Sequence, residues 1–253
     1  MNPVLEALRA RPEEIDALYL TEGEVSRNAS AEIFSRARDA GIRVNKVPRE
    51  RLSNMSEGGV HQGVVIELVE FTYVDPLDIL KIAEDRGEPP LLVVLDGIQD
   101  PHNLGAIIRS AHALGAHGLI IPKDRAASVT GLVSKTSAGA VEHMPIARVT
   151  NVSRTLEELK LKGVWTAAAD PDGEQTLWEA RLEGPMAIIV GSEGPGVRPG
   201  VLAHCDLKVR IPLVGQVASL NASVAAGMFL YECARQRALS SAKTPSESPH
   251  PVD

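Results

Sequence analysis

Short β-branched runs and helical stripes of apolar residues alternate along this chain, and their spacing predicts its elements. Asn2 and Pro3 ahead of Val4, Leu5 and Leu8 read as an N-cap, a proline at the first helical position and an apolar stripe. A helix opening this close to residue 1 suggests a trimmed or misassigned start. A strand-like run at 15–20, a helical stripe at 30–40 closed by Gly41, and a strand-like run at 42–47 follow. After the glycine-rich stretch 58–63, a β-branched run at 64–69 completes a small α/β domain over residues 1–70. Residues 71–90 break the pattern with Pro76, Gly87, Pro89 and Pro90 and an excess of acids, so they read as a linker with room for a short helix at 77–83.

From Leu91 the texture changes. Strands are predicted at 91–95, 119–121, 143–149, 164–169, 186–190 and 207–211, and helices at 103–114, 129–137, 153–162 and 221–237. Strands alternating with helices predict a mostly parallel sheet covered on both faces, a second domain spanning 91–238. The polar, proline-rich residues 239–253 are predicted to be a disordered tail.

The 253 residues are 44% hydrophobic and 23% charged, which excludes a disordered or fibrous chain. No apolar stretch is long enough to span a membrane and no secretory signal opens the sequence, so the expected location is cytoplasmic. Cys205 and Cys233 form no CxxC and no Cys/His cluster, which predicts reduced core thiols and no metal site. The net charge of −7 disfavours a polyanionic partner overall. A local basic patch would suffice for one.

Three segments beyond predicted strand ends carry the candidate chemistry, where open α/β sheets bind ligands. In DGIQDPHNLGAIIR (96–109), Arg109 lies off the apolar stripe formed by Leu104, Ile107, Ile108 and Ala111. It reads either as a solvated charge behind an Asn103 cap, or as a phosphate ligand near a helix N-terminus. In VGSEGPG (190–196), three glycines imply close backbone approach, and the GxxGxG spacing with Glu193 inside does not match the dinucleotide fingerprint. Glu193 is a turn residue or a site acid. In IPLVGQVASLN (211–221), Ser219 and Asn221 are both good caps, yet one helix needs only one. No serine-hydrolase elbow, zinc-protease or P-loop motif is present.

Together, in this order, NLGAIIRSAHALG, IVGSEGPGV and IPLVGQVASLNASVAAGMFLYE resemble the three motifs of the SpoU/TrmH ribose 2'-O-methyltransferases of the SPOUT superfamily, from Leu91 to about Arg237. NPVLEAL and HQGVV resemble the substrate-binding domain of the branch that methylates a guanosine of 23S ribosomal RNA, and DPHNLGA, IPKDRA and ARVTN favour that branch. The resemblance implies an α/β catalytic domain with a C-terminal trefoil knot and a small N-terminal RNA-binding domain of the ribosomal-protein L30e type. It implies S-adenosylmethionine held by backbone groups at Gly191, Ile211 and Leu220, with distant chain threading past the glycine loop. It also implies a homodimer whose active site is completed across the interface, no metal, and RNA as partner, with neither DNA nor membrane.

In that reading Arg109 first clamps a phosphate beside the target ribose, because the high pKa of arginine makes it a poor base, while the resemblance also implies proton abstraction as its other role. Asn103, Glu193, Ser219 and Asn221 orient it and the ribose, with Glu193 able to pair with the guanidinium. RNA is distinguished from DNA by the 2'-hydroxyl. Other readings are 2'-O-methylation of tRNA or of a ribosomal adenosine, as in antibiotic resistance, a non-catalytic RNA-binding or ribosome-assembly protein, and a nucleotide-binding α/β enzyme. A non-catalytic protein gives no role to Arg109, Glu193 and Asn221 together, and binding of labelled S-adenosylmethionine separates the nucleotide-binding enzyme from the methyltransferases.

Overall fold

The computed structural model describes residues 2–10, 12, 15–22, 27–56, 61–68, 71–217 and 219–243. The side chain of Asn2, the glycine pair at 58–59 and the tail beyond 243 lie outside that description, so the cap and disorder expected there are not addressed. Residues 1–71, with 129–132, group as one compact unit, and the chain from Thr72 otherwise forms a second.

The first unit runs α1 (Asn2–Ala10), β1 (Ile15–Thr21), α2 (Arg27–Asp39), β2 (Arg43–Val47), α3 (Arg49–Met55) and β3 (Val64–Leu68). β1 is central, parallel to β2 and antiparallel to β3. Leu18 from β1 and Ile33 from α2 are fully buried, in a cluster with Val4 and Leu8 of the first helix. The helix 49–55 has no apolar stripe to announce it, since Leu52 is its sole buried residue.

The second unit begins earlier than the sequence pattern predicts. Residues read as a linker form α4 (Pro76–Asp85), capped by Asp75, whose carboxylate accepts from the Leu77 N–H at 2.8 Å. Its Ile79 is fully buried among Leu92, Val94 and Ile120. Gly118 lets it in, because a Cβ there would lie 2.7 Å from the Ile79 side chain. Two inward-facing apolar residues make this helix part of the core, whatever its prolines and acids suggest.

There follow β4 (Leu91–Asp96), α5 (Pro101–Ala113), β5 (Gly118–Pro122), α6 (Gly131–Thr136), β6 (Ile146–Val149), α7 (Val152–Leu161), β7 (Trp165–Ala169), β8 (Gln175–Thr176), β9 (Met186–Gly191), α8 (Pro199–Leu202), β10 (Leu207–Arg210) and α9 (Ala222–Lys243). The seven strands are ordered β6-β5-β4-β9-β7-β10-β8, and every pairing is parallel. β4, β5 and β9 are buried along their whole length, as continuous apolar runs require.

Three of the boundaries that differ from expectation bear on the site or the core. The strand expected from 143 starts at Ile146, because Ala140–His143 form a 3-10 turn entered through Gly139 in the left-handed conformation. α5 starts at Pro101, capped by Asp100, so Asn103 is not its cap. α9 continues to Lys243, so residues 239–243 are helix and not tail. Its Arg237 holds the carbonyls of Pro89, Pro90 and Gly184 at 2.8–2.9 Å. Cys205 and Cys233 are free thiols, and burial pushes each up to about 12.

Candidate functional site

β4 and β9 lie side by side at the middle of the large sheet and release their chains at the same edge, with Asp96 in register with Gly191. Asp96 is fully buried. Its Oδ2 accepts from the Arg198 backbone N–H at 2.8 Å, and its Oδ1 accepts from the guanidinium at 2.8 Å (Nε) and 2.5 Å (Nη2). The same contact raises the Arg198 pKa above its ordinary value. One carboxylate thereby staples the far end of the glycine loop to the end of β4, 102 residues away in sequence.

Between its ends the loop closes on itself. The Gly196 N–H donates to the Ser192 carbonyl at 2.9 Å, and a Cβ on Gly191 would stand 1.9 Å from the Gly196 carbonyl carbon. The crowding that requires glycine at 191 thus comes from the loop's own return. Gly194 and Gly196 have φ of 84° and 69°, the left-handed turns that make the return possible.

Glu193 stands on this loop and joins the other two segments. Its Oε1 accepts from Asn103 Nδ2 at 2.9 Å and from Asn221 Nδ2 at 2.6 Å, and Asn221 Nδ2 also reaches Asn103 Oδ1 at 2.9 Å. Asn103 is available because Asp100 caps α5, its carboxylate accepting from the His102 N–H at 3.0 Å. Asn221 does two jobs at once: its Oδ1 caps α9, accepting from the Ser223 N–H at 2.9 Å and the Ser223 hydroxyl at 2.6 Å. The cap and site readings of Asn221 are both realised. Glu193 Oε2 has no partner among the described residues.

Arg109 does not pair with Glu193. It is exposed on α5, without a hydrogen bond or ion pair among the described residues. Six residues separate it from Asn103, so the two side chains leave α5 about 120° apart. Ser219 is also exposed and without a partner among the described residues.

Behind the network lies a cavity walled by Gly191, Glu193, Ile211, Ser219, Leu220 and Phe229, with Asp170 at its rim. It is about 110 Å³ with the loop in this position. The walls are mostly apolar, while the main-chain groups of Ile211 and Leu220 make no backbone hydrogen bond among the described residues. Such groups are ready donors and acceptors for a ligand. All three backbone positions expected to hold a cofactor therefore meet at one cavity, and three of the five expected catalytic side chains form one hydrogen-bonded cluster that reaches it through Glu193. Asp96, Arg198, Asp170 and Phe229 were not singled out by sequence. An acid ending an otherwise apolar strand was the available signal for Asp96. Among the described residues no group of His, Cys, Asp or Glu is placed to hold a metal ion, and no helix is long and apolar enough to cross a membrane.

Comparison with known proteins gives a consistent result. The profile of the SpoU rRNA Methylase family matches residues 90–231, and that of RNA 2'-O ribose methyltransferase substrate binding matches residues 1–74. YacO of Bacillus subtilis (strain 168), whose name places it in the TrmH family of tRNA/rRNA methyltransferases, is 42% identical over 236 residues, covering 93% of this chain and 94% of its own. An uncharacterized tRNA/rRNA methyltransferase of Mycobacterium sp. (strain KMS) is 46% identical over 236 residues, covering 93% of this chain and 75% of its own. The SpoU methyltransferase AviRb of Streptomyces viridochromogenes, solved with the cofactor AdoMet, superposes with a TM-score of 0.62 at 26% identity, covering 93% of this chain and 88% of its own. An AdoMet-bound rRNA methyltransferase from Sinorhizobium meliloti superposes with a TM-score of 0.59 at 25% identity, covering 93% and 85%.

Proposed function

Because the chain belongs to the SpoU methylase family of RNA methyltransferases, we propose that it methylates the ribose 2'-hydroxyl of a guanosine in 23S ribosomal RNA, using S-adenosylmethionine. The observation that carries this reading is the Asn103–Glu193–Asn221 cluster, which joins three sequence-distant motifs around Glu193, a wall of the cavity.

The residues present fit the cofactor. Ile211, Leu220 and Phe229 offer apolar walls for a nucleoside, free main-chain groups offer base contacts, and Glu193 and Asp170 suit a cationic sulfur and an ammonium. The cavity is smaller than a whole ligand cleft, so loading displaces the exposed segment carrying Leu213, Val214 and Val217 or leaves part of the ligand in the mouth. When bound, S-adenosylmethionine supplies a methyl on a sulfonium, which becomes a neutral thioether as the methyl passes to oxygen.

The chain must hold the ribose in line and help its hydroxyl lose a proton. Two amides fix Glu193 through Oε1, which leaves Oε2 to accept a hydrogen bond from the 2'-hydroxyl. Ser219 orients the same ribose. Arg109 clamps the adjacent phosphate and stabilises the developing alkoxide, a role that matches its free guanidinium.

Arg109 leaves α5 away from Asn103, which suits a site completed by a partner subunit. Support for a homodimer comes from α9, where Val224, Met228 and Tyr231 are 40–62% exposed at helical spacing beside an exposed Trp178. A trefoil knot belongs to this reading too. Its support is the chain path: β9 lies inside β7, β10 lies outside it, and α9 then returns to α5 and β9. Residues 1–70 select the RNA, in keeping with the substrate-binding profile, and 91–238 hold the catalytic machinery. The location that goes with this reading is the cytoplasm.

Single-turnover methylation of unmodified ribosomal RNA by the wild type, Arg109→Lys and Arg109→Ala tests the clamp. Arg109→Ala slows transfer by about 10²–10³-fold with unchanged S-adenosylmethionine affinity, and Arg109→Lys retains part of the rate. A wild-type rate from Arg109→Ala removes Arg109 from the site. Mapping of 2'-O-methyl groups in ribosomal RNA from cells lacking the protein identifies the nucleotide.

A further inference from the structure

On the other side of Ser192 and Glu193 from the cofactor cavity lies a second cleft, of about 400 Å³. That volume falls in the range of small-ligand clefts. Its walls are Gly97, Gln99 and Asp100 of the loop after β4, Asn103 of the first turn of α5, and Glu193 and Pro195 of the glycine loop. Gly97, with φ of 82°, turns the chain there with no side chain between it and Ser192. Glu193 therefore lines a ligand cavity on either side, and its partner Asn103 lines the second.

Two polar groups of this cleft have bonding capacity left over. The Gln99 amide makes no hydrogen bond among the described residues. Asp100 uses one oxygen to cap α5, and a carboxylate has about four acceptor sites. Neither group contributes to the core, and neither is needed by the cofactor cavity.

Resting on the methyltransferase reading above, we propose that this cleft receives the target nucleoside, with its base against Gln99 and Asp100 and its ribose toward Asn103 and Glu193. Asp100 and Asn103 are one helical turn apart, about 5 Å along the axis, the scale that separates a base edge from its sugar. The same pair of side chains selects guanine. An unpaired guanine offers two adjacent donors, N1–H and the N2 amine, and one acceptor, O6. The Asp100 carboxylate accepts from the donors, and the Gln99 amide N–H donates to O6. Adenine puts a lone pair at N1, which would face the carboxylate without a proton between them.

The test uses the full chain, S-adenosylmethionine and unmodified ribosomal RNA transcripts. Products are digested to nucleosides, and 2'-O-methylguanosine is counted against 2'-O-methyladenosine. Asp100→Asn keeps the helix cap, since asparagine caps as well as aspartate, but replaces one acceptor by a donor. Gln99→Ala removes the other contact without touching the cap. Each is expected to lower 2'-O-methylguanosine formation by about tenfold or more, and Asp100→Asn to lower its ratio to 2'-O-methyladenosine as well. Cofactor affinity and melting temperature should stay at wild-type values. Wild-type rates and ratios from both variants, or a wild type that makes mainly 2'-O-methyladenosine, would overturn the assignment of this cleft. A wild type that binds S-adenosylmethionine and methylates no RNA would overturn the underlying enzyme reading, and the cleft with it.

Discussion

The two units differ in one use of charge. In the first, Arg9 and Arg36 meet Glu32 at 2.9 and 3.0 Å, and Arg43 meets Asp16 at 2.6 Å, with every one of these side chains at least 39% exposed. In the second, Arg198 meets an Asp96 that is 0% exposed. Surface pairs contribute little, because water solvates either partner nearly as well. A buried carboxylate has no such alternative, so its partner is held firmly and whatever that partner carries is held too. Here the partner carries the glycine loop and Glu193. The second unit has surface pairs too, such as Lys81–Asp78 and Arg154–Glu158, but its Arg198–Asp96 pair shapes a site, whereas the pairs named in the first decorate a surface.

Three substitutions and two shortened chains sharpen or break that contrast. Gly191→Val has the largest effect, because the added atoms collide with the backbone of Gly196 and Val197. Calorimetry should detect no S-adenosylmethionine binding, and retained affinity would show that the loop is softer than its geometry. Next come two shortened chains. One starting at Thr72 should bind cofactor like the full chain, whereas one starting at Pro89 loses buried Ile79 and Ala83 and about 3–5 kcal/mol of stability in urea titrations. Equal midpoints for the two would return residues 72–90 to the status of a linker. Arg198→Ala strands the Asp96 carboxylate and should cost about 2–3 kcal/mol, below the full value for a buried pair because Arg198 is itself half exposed. Its methylation rate should fall further than its stability explains. Arg43→Ala, by contrast, should leave the urea midpoint unchanged within error.

Much of this organisation was legible in the order of residues. Continuous apolar runs announced β4, β5 and β9, because strands buried on both faces have no polar side to alternate with. Asn103, Glu193 and Asn221 could be singled out because polar residues after such runs have few structural duties. Their mutual bonds were not legible, since each spans 28 to 118 residues of intervening chain. Pairing Arg109 with Glu193 failed for a related reason: opposite charges suggest contact, but the face from which Arg109 leaves α5 is set by helical phase. α4 was half hidden because prolines and acids dominate its surroundings, while only Ile79 and Ala83 point inward. β8 has two residues and no pattern of its own, and it exists because β10 offers it an edge.

Asn221 gives the molecule an internal gauge. One of its amide atoms seals the first turn of α9 and the other belongs to the cluster around Glu193, so the start of a 22-residue helix and the polar cluster share a single side chain. Opening either one weakens the other by linkage. The exchange of the Ser223 and Val224 amides with solvent deuterium therefore reads out the state of the cluster from a position in the helix, and a ligand that tightens Glu193 slows that exchange without touching either amide.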